Sequence, residues 1–242
     1  MNWITDPLLR AAGVAHGFGT RVCPPPPTLV RPKQVHGTRV VVLRRGVGLS
    51  AEFTGPAGRA GRAGRAGLGD VGEADAIVSE QPALPIGVVT ADCVPILVAT
   101  PGGRVAAVHA GWRGLAAGVI AEALSALGAL APEGIAGASA VIGPRIGTEC
   151  YEVDTVVVDA LARRFGDATA PALVATRPGH WQLDLALLAR VDLVRSGVAT
   201  QRVAALADAC TACDAERFHS YRRDGPRSGR LYHWIAARPA RV

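Results

Sequence analysis

Residues 86–114 read IGVVTADCVPILVATPGGRVAAVHAGWRG, and no other stretch limits the fold as strongly. Three apolar, largely β-branched runs, Ile86 to Thr90, Val94 to Thr100 and Val105 to Val108, are bounded by Pro, Gly or a short polar step. That is the pattern of strands buried inside a sheet. The chemistry falls at their ends: Asp92 and Cys93 between the first two runs, His109 closing the third, then Gly111-Trp112-Arg113-Gly114. Rigid scaffolds carry reactive groups on such strand-end turns, so Cys93 and His109 are the first pair to weigh.

Further strands are expected at 14–19, Thr38 to Leu43, Glu73 to Ser79, Ser139 to Ile142, Val203 to Ala207, Arg217 to Tyr221 and Leu231 to Ile235. Leu115, Val119, Ala123 and Leu127 predict one helix directly after the Trp112 turn. Two more helices are expected over Thr155 to Phe165 and Leu183 to Ser196, the second stopped by Gly197. Strands and helices interleave irregularly and no linker divides the chain. The expectation is therefore one α+β domain over residues 1–242 with a mixed sheet. Residues 57–67, AGRAGRAGRAG, repeat every third residue, a period of neither helix nor strand, and predict a flexible arginine-glycine loop at 55–69.

With 242 residues and 49% hydrophobic content, the chain can bury a sizeable core. The net charge of +6 rests on arginine, because Lys33 is the only lysine. Outside 57–67 the arginines are dispersed, which argues against a dedicated nucleic-acid surface. Cys23, Cys93, Cys150, Cys210 and Cys213 form an odd set behind an N-terminus without a leader pattern, and no apolar run reaches the ~20 residues of a membrane span. Reduced thiols, a cytoplasmic location and no membrane partner are expected.

From the residues alone, Cys93 and His109 admit three readings: packed core, a thiol nucleophile with its base, or two ligands of a borderline metal. Both lie at element edges beside polar neighbours. His36, in Gln34-Val35-His36-Gly37 at the entrance of the Thr38 to Leu43 strand, shifts the balance toward metal. Two histidines and a thiolate with one open position is how catalytic zinc is held. Cys210-Thr211-Ala212-Cys213 has metal or redox spacing, but no second such pair accompanies it, and it reads as structural or incidental.

The strings KQVHGTRV, TADCVPIL, AVHAGWRG, VIGPRIG followed by CYEV, and CT through HSYRRDGPRSGR occur in that order. Across about residues 14–235 the chain resembles the YfiH or laccase-domain family of purine nucleoside phosphorylases, whose members are also called polyphenol oxidases. The resemblance implies a layered α/β/β/α sandwich with mixed β-sheets. It implies zinc, with copper the less favoured alternative, on His36, Cys93 and His109. The implied activities are phosphorolysis of adenosine, inosine and methylthioadenosine and deamination of adenosine, with nucleoside and phosphate as partners. A metal suits deamination because it lowers the pKa of water at the site.

Phosphorolysis needs cations near the sugar. Arg113, at a helix start four residues past His109, is a candidate phosphate or substrate contact, with a structural ion pair as the alternative. Trp112 stacks on a purine or packs. Asp92 orients a ligand histidine or caps a turn. Cys93, His109, Arg113 and Asp92 are the catalytic candidates, and Arg222, Arg223 and Arg230 are weaker ones. Other activities stay open: a hydrolase with Cys93 as nucleophile and His109 as base, editing peptidoglycan precursors; a copper-dependent phenol oxidase, for which one His-His-Cys set is too few ligands for a multicopper cluster; and an RNA-binding module using the arginine repeat. Between His16 to Arg21 and Lys33 the chain has only VCPPPPTLVRP, shorter than is usual in the family, so part of the pocket rim is absent while all three ligands remain.

Overall fold

The computed structural model describes residues 3–46, 51–54 and 70–239; the arginine-glycine loop expected at 55–69 lies outside the described residues. In chain order the first elements are α1 (Pro7–Ala11), β1 (Ala15–Phe18), β2 (Arg31–Lys33), β3 (Val40–Leu43), β4 (Ala51–Thr54), β5 (Asp70–Glu73) and β6 (Ala76–Ser79). They are followed by β7 (Pro85–Thr90), β8 (Val94–Ala99), β9 (Val105–Ala110), α2 (Trp112–Ala117), α3 (Val119–Leu130) and β10 (Ser139–Ile142). The remainder comprises β11 (Glu152–Asp154), α4 (Thr155–Phe165), β12 (Leu173–Arg177), β13 (His180–Leu183), α5 (Leu185–Arg195), β14 (Val203–Ala205), α6 (Tyr221–Asp224) and β15 (Leu231–Ala236).

Seven strands form the central mixed sheet in the order β14-β10-β8-β9-β6-β3-β4. Every residue of β3, β6, β8, β9 and β10 is buried, as expected of apolar strands covered on both faces. One face, carrying Val42, Val78, Ile96, Val98 and Val108, packs under helices through Ile120, Leu124, Leu127 and Leu188. The opposite face, carrying Val41, Ile77, Leu97, Ala107 and Val141, packs on a small antiparallel sheet, β1-β15-β7, through Phe18, Ile86, Val88 and Ile235. Leu9 of α1 joins this second core. The α+β architecture thus stacks helices, the large mixed sheet and the small sheet, with α1 closing the edge of the inter-sheet core. A hairpin layer, β11-β13-β12, and a parallel pair, β2-β5, complete it.

Three expectations change. Glu73 to Ser79 is not one strand: β5 ends at Glu73 and β6 starts at Ala76, in different sheets, with Asp75 in the break between them. The helix after Trp112 begins at Trp112 itself and breaks at Gly118, whose φ of +97° is left-handed; only glycine takes that conformation without strain. Arg217 to Tyr221 is a turn leading into α6 rather than a strand, because Ser220 caps that short helix by accepting the Arg223 amide. Among the described residues no helix is long and apolar enough to cross a membrane.

His16 and His233 are buried inside this fold. His233 on β15 is wholly buried between Thr90, whose Oγ1 lies 2.8 Å from Nε2, and the amide of Gly19. Burial, aided by the charge of His109, lowers its pKa to about 3. His16 is lowered too, chiefly by burial, and its Nε2 accepts the Asp6 amide. A histidine whose pKa is lower folded than unfolded binds more protons when unfolded, so stability rises with pH across that interval. Stability is therefore expected to fall as pH drops from the ordinary histidine value of 6.5 toward 3, by on the order of a few kcal/mol for His233. Urea unfolding between pH 7.5 and pH 4.5 checks this: His233→Gln should flatten the dependence, and equal slopes in both proteins would refute the assignment.

Candidate metal centre and active site

The topology collects the chemistry at one edge of the large sheet. β8 and β9 are antiparallel with Val94 opposite Ala110, so Cys93, just before β8, lies beside the end of β9 that carries His109. β6 runs antiparallel to β9 with Ala76 opposite Val108, which puts Asp75 at the same edge. β3 is parallel to β6 with Val40 opposite Ala76, and the turn before it carries His36. The donor atoms of His36, Cys93 and His109 lie within 4.8 Å of one another. The His36 Nε2 to Cys93 Sγ distance is 4.0 Å, and the two imidazoles meet edge to face at 4.8 Å.

Asp75 holds this arrangement, although nothing in its local sequence marks it out. Its carboxylate is fully buried and accepts from His109 Nδ1 at 2.8 Å. It also accepts the backbone amides of Val35, His36 and Gly37 at 3.3, 2.8 and 2.6 Å. His36 has a φ of +60°, a conformation costing a non-glycine residue about 1–2 kcal/mol, which the three amide bonds offset. With Nδ1 held by Asp75, the other ring nitrogen of His109 is the one turned to Cys93 and available to a metal.

Asp92, expected to orient a ligand histidine or cap a turn, does not reach either histidine by hydrogen bond. It accepts from Thr211 Oγ1 and the Arg222 amide, both at 2.6 Å, at a φ of +90°. These bonds hold the left-handed step that precedes Cys93. Asp75 takes the histidine-orienting place.

Electrostatics couples the cluster. Burial would raise the Cys93 pKa, but hydrogen bonds to His109 and His36, with their positive charge, outweigh it and bring the thiol down to about 6. Burial would lower His109, but Asp75 and Cys93 outweigh it and raise the imidazole to about 9. Asp75 itself would be raised by burial; the bonds from His109, Gly37 and His36 bring it below the usual carboxylate value. A thiolate and two imidazoles sharing one focus fit a borderline divalent ion with an open position. Gly111 supports the fit through space: a Cβ there would meet Cys93 Sγ and His36 Cδ2, each at 3.0 Å.

The cluster lies in a cavity of about 630 Å³. Arg31, Lys33, Arg113, Arg222 and Arg230 line it, the first two from the stretch just before His36. Trp112, Tyr151 and Tyr221 supply aromatic surface to the same cavity. The Arg113 guanidinium lies 4.3 Å from the Trp112 ring centre, so the pair offers a charge and a flat face together. Burial, with the charge of Cys93 second, pushes the Tyr151 phenol up, keeping it a hydrogen-bond donor. Arg223, among the weaker candidates, is engaged elsewhere, donating to the carbonyls of Thr211, Ala212 and Phe218.

In chelator-treated protein, alkylation of Cys93 followed by peptide mapping is expected to titrate near pH 6 rather than the ordinary 9. Asp75→Asn should move that midpoint upward, since an amide no longer stabilises the His109 cation. The same variant is expected to weaken metal binding by roughly 10- to 100-fold. An unchanged midpoint would remove Asp75 from this role.

The sequence profile of the family described as "Multi-copper polyphenol oxidoreductase laccase" matches residues 18–238. A purine nucleoside phosphorylase of Xylella fastidiosa is 42% identical over 159 residues, 65% of this chain and 58% of that protein. The match thus spans a little over half of that relative's length. Adenosine deaminase RL5, from an unknown prokaryotic organism, is 32% identical over 214 residues, 86% of this chain and 74% of its own. The crystal structure of the hypothetical protein YfiH of Bacillus licheniformis aligns with a TM-score of 0.76 and 25% identity, covering 93% of both chains. The chain belongs to the multi-copper polyphenol oxidoreductase laccase family, the family of the YfiH proteins.

Proposed function

We propose that the protein is an enzyme of purine nucleosides, cleaving adenosine, inosine or methylthioadenosine with phosphate and deaminating adenosine, with zinc on His36, Cys93 and His109. The observation that carries this reading is the pairing of the three-donor cluster with an arginine-lined, aromatic-walled cavity around it. The names of the two relatives, a purine nucleoside phosphorylase and an adenosine deaminase, support it. When bound, zinc supplies Lewis-acid chemistry, polarising a coordinated oxygen or nitrogen.

The chain's own residues do the rest. Arg113, with Arg31 and Arg230 facing the same cavity, neutralises phosphate and holds one oxygen against the anomeric carbon. In phosphorolysis that oxygen bonds to the sugar carbon as the carbon–nitrogen bond breaks, its electron pair leaving with the purine, which takes up a proton. Trp112, Tyr151 and Tyr221 cover the base and keep water from the cleaving bond, and a protonated Tyr151 phenol is a donor suited to a purine nitrogen. In deamination, water replaces the amino group and ammonia leaves. Asp75 keeps His109 and His36 in place in both reactions.

A second reading has its own observation. Without metal, the Asp75 to His109 hydrogen bond and the lowered Cys93 thiol form a carboxylate, imidazole and thiolate series, the layout of a cysteine nucleophile with an oriented base. A hydrolase acting on peptidoglycan precursors would use it so. For copper-dependent phenol oxidation, the chemistry in the family's descriptive name, the His36, Cys93 and His109 set offers ligands for one ion rather than a multinuclear cluster.

Zinc-loaded protein is expected to release base from inosine only with phosphate and ammonia from adenosine without it. His36→Ala and Cys93→Ala should each lower kcat/KM by more than about 100-fold. Arg113→Ala should raise the KM for phosphate by roughly tenfold, the loss of one charge-assisted hydrogen bond. Neither base nor ammonia from the zinc-loaded protein would overturn the reading. Turnover that survives chelation and ends on Cys93 alkylation would favour the hydrolase.

A further inference from the structure

The tertiary fold completes a cluster that the Cys210-Thr211-Ala212-Cys213 spacing leaves at two thiols. Cys150, which ends a 3-10 turn at Thr148–Cys150, is brought to it from 60 residues upstream of Cys210. The two segments are stitched by a parallel bridge between Arg145 and Cys210, with Arg145 N donating to Ala209 O at 3.1 Å and Thr211 N to Arg145 O at 2.9 Å. The three sulfurs lie within 4.8 Å of one another, and Cys150 and Cys213 approach to 3.1 Å. Cys150 and Cys210 are half-buried and Cys213 is exposed, so the focus opens to solvent on one side.

We propose that Cys150, Cys210 and Cys213 form a second metal centre, a three-thiolate site for a thiophilic ion such as zinc or copper(I), separate from the His36, Cys93 and His109 cluster. Three features distinguish this from three thiols that happen to be close. Cys210 Sγ accepts two backbone amides, Gly147 N at 3.1 Å and Cys213 N at 3.5 Å, and amide donors aimed at one sulfur stabilise the thiolate that a metal requires. The C-x-x-C turn presents two sulfurs from one loop, the ligand spacing of structural zinc sites. Space has been kept for the sulfur as well: a Cβ on Gly147 would sit 3.1 Å from Cys210 Sγ. An all-sulfur donor set selects soft or borderline ions over magnesium or calcium.

The placement gives the centre a task. Tyr151 follows Cys150 and lines the active cavity, while Thr211, between Cys210 and Cys213, donates to Asp92, the residue before Cys93. An ion on the three sulfurs clamps one cavity wall to the loop that steadies the Cys93 step. Arg222 reinforces the junction by donating to Cys150 O at 3.4 Å and Glu152 O at 3.1 Å.

The test is metal stoichiometry on the full-length chain, chelated, reloaded with zinc and desalted. About two zinc ions per chain are expected in the wild type and about one each in Cys210→Ser and His109→Ala. Cobalt(II) replacement gives an independent readout: His109→Ala should keep a near-ultraviolet sulfur-to-cobalt charge-transfer band, and adding Cys210→Ser should abolish it. This spectrum needs no nucleoside turnover, so it separates the second centre from the proposed reaction. A single zinc in the wild type that Cys210→Ser leaves unchanged would overturn the proposal. So would protein purified without reductant that carries a Cys150–Cys213 disulfide, lighter by two hydrogens in intact mass, and takes up no second ion.

Discussion

The buried carboxylate of Asp75 is the interaction on which the rest of the site depends. One side chain, with no exposed surface, bonds the Nδ1 of His109 and three consecutive backbone amides of the turn carrying His36. A buried ionised carboxylate is tolerated only when its oxygens are satisfied, and here the groups that satisfy it are those whose positions matter. The same bonds keep His36 in a left-handed conformation, leave one nitrogen of His109 free and hold the Asp75 carboxyl in its ionised form. The energy that stabilises the buried charge is also the energy that preorganises the cluster.

Asp92 repeats the device at the step before Cys93. Its own left-handed backbone is secured by a hydroxyl and an amide from the 211–222 region, so both strained turns at this sheet edge are tied down by a carboxylate. Strain concentrated at one rim of an otherwise regular sheet is a mark of a functional site. The two groups of three donors among the described residues lie on either side of Asp92, linked through Thr211. The wall bearing Tyr151 and the step bearing Cys93 are therefore mechanically connected rather than independent loops.

Much of this was legible in the chain. The runs that become β7, β8 and β9 are apolar and β-branched without interruption because both faces are covered, and such runs read clearly. His36, Cys93 and His109 stood out as chemistry at strand ends, and the ordered motifs named the family. Asp75 did not stand out, since in Glu73-Ala74-Asp75-Ala76 nothing local distinguishes a buried acceptor from a solvated carboxylate. Arg217 to Tyr221 read as a strand because its residue types allow one, but the Ser220 cap turns it into α6. The start of α1 at Asp6-Pro7 did carry a signal, an N-cap followed by proline at the first helical position. The hairpin β12–β13 carried little, because four of the five residues of β12 are exposed and show no apolar alternation.

By itself the sequence determined the fold class, the buried strands, the family and three of the residues at the site, because these depend on local pattern and on residue type at strand ends. Only the tertiary structure decided which carboxylate orients His109, which arginines face the cavity, and that Cys150 joins Cys210 and Cys213. The first of these depends on strand order: β3, β6 and β9 are neighbours in the sheet although dozens of residues separate each from the next along the chain. A hydrogen bond of 2.8 Å between residues separated by dozens of positions is set by register and burial, for which a linear sequence carries no direct signal.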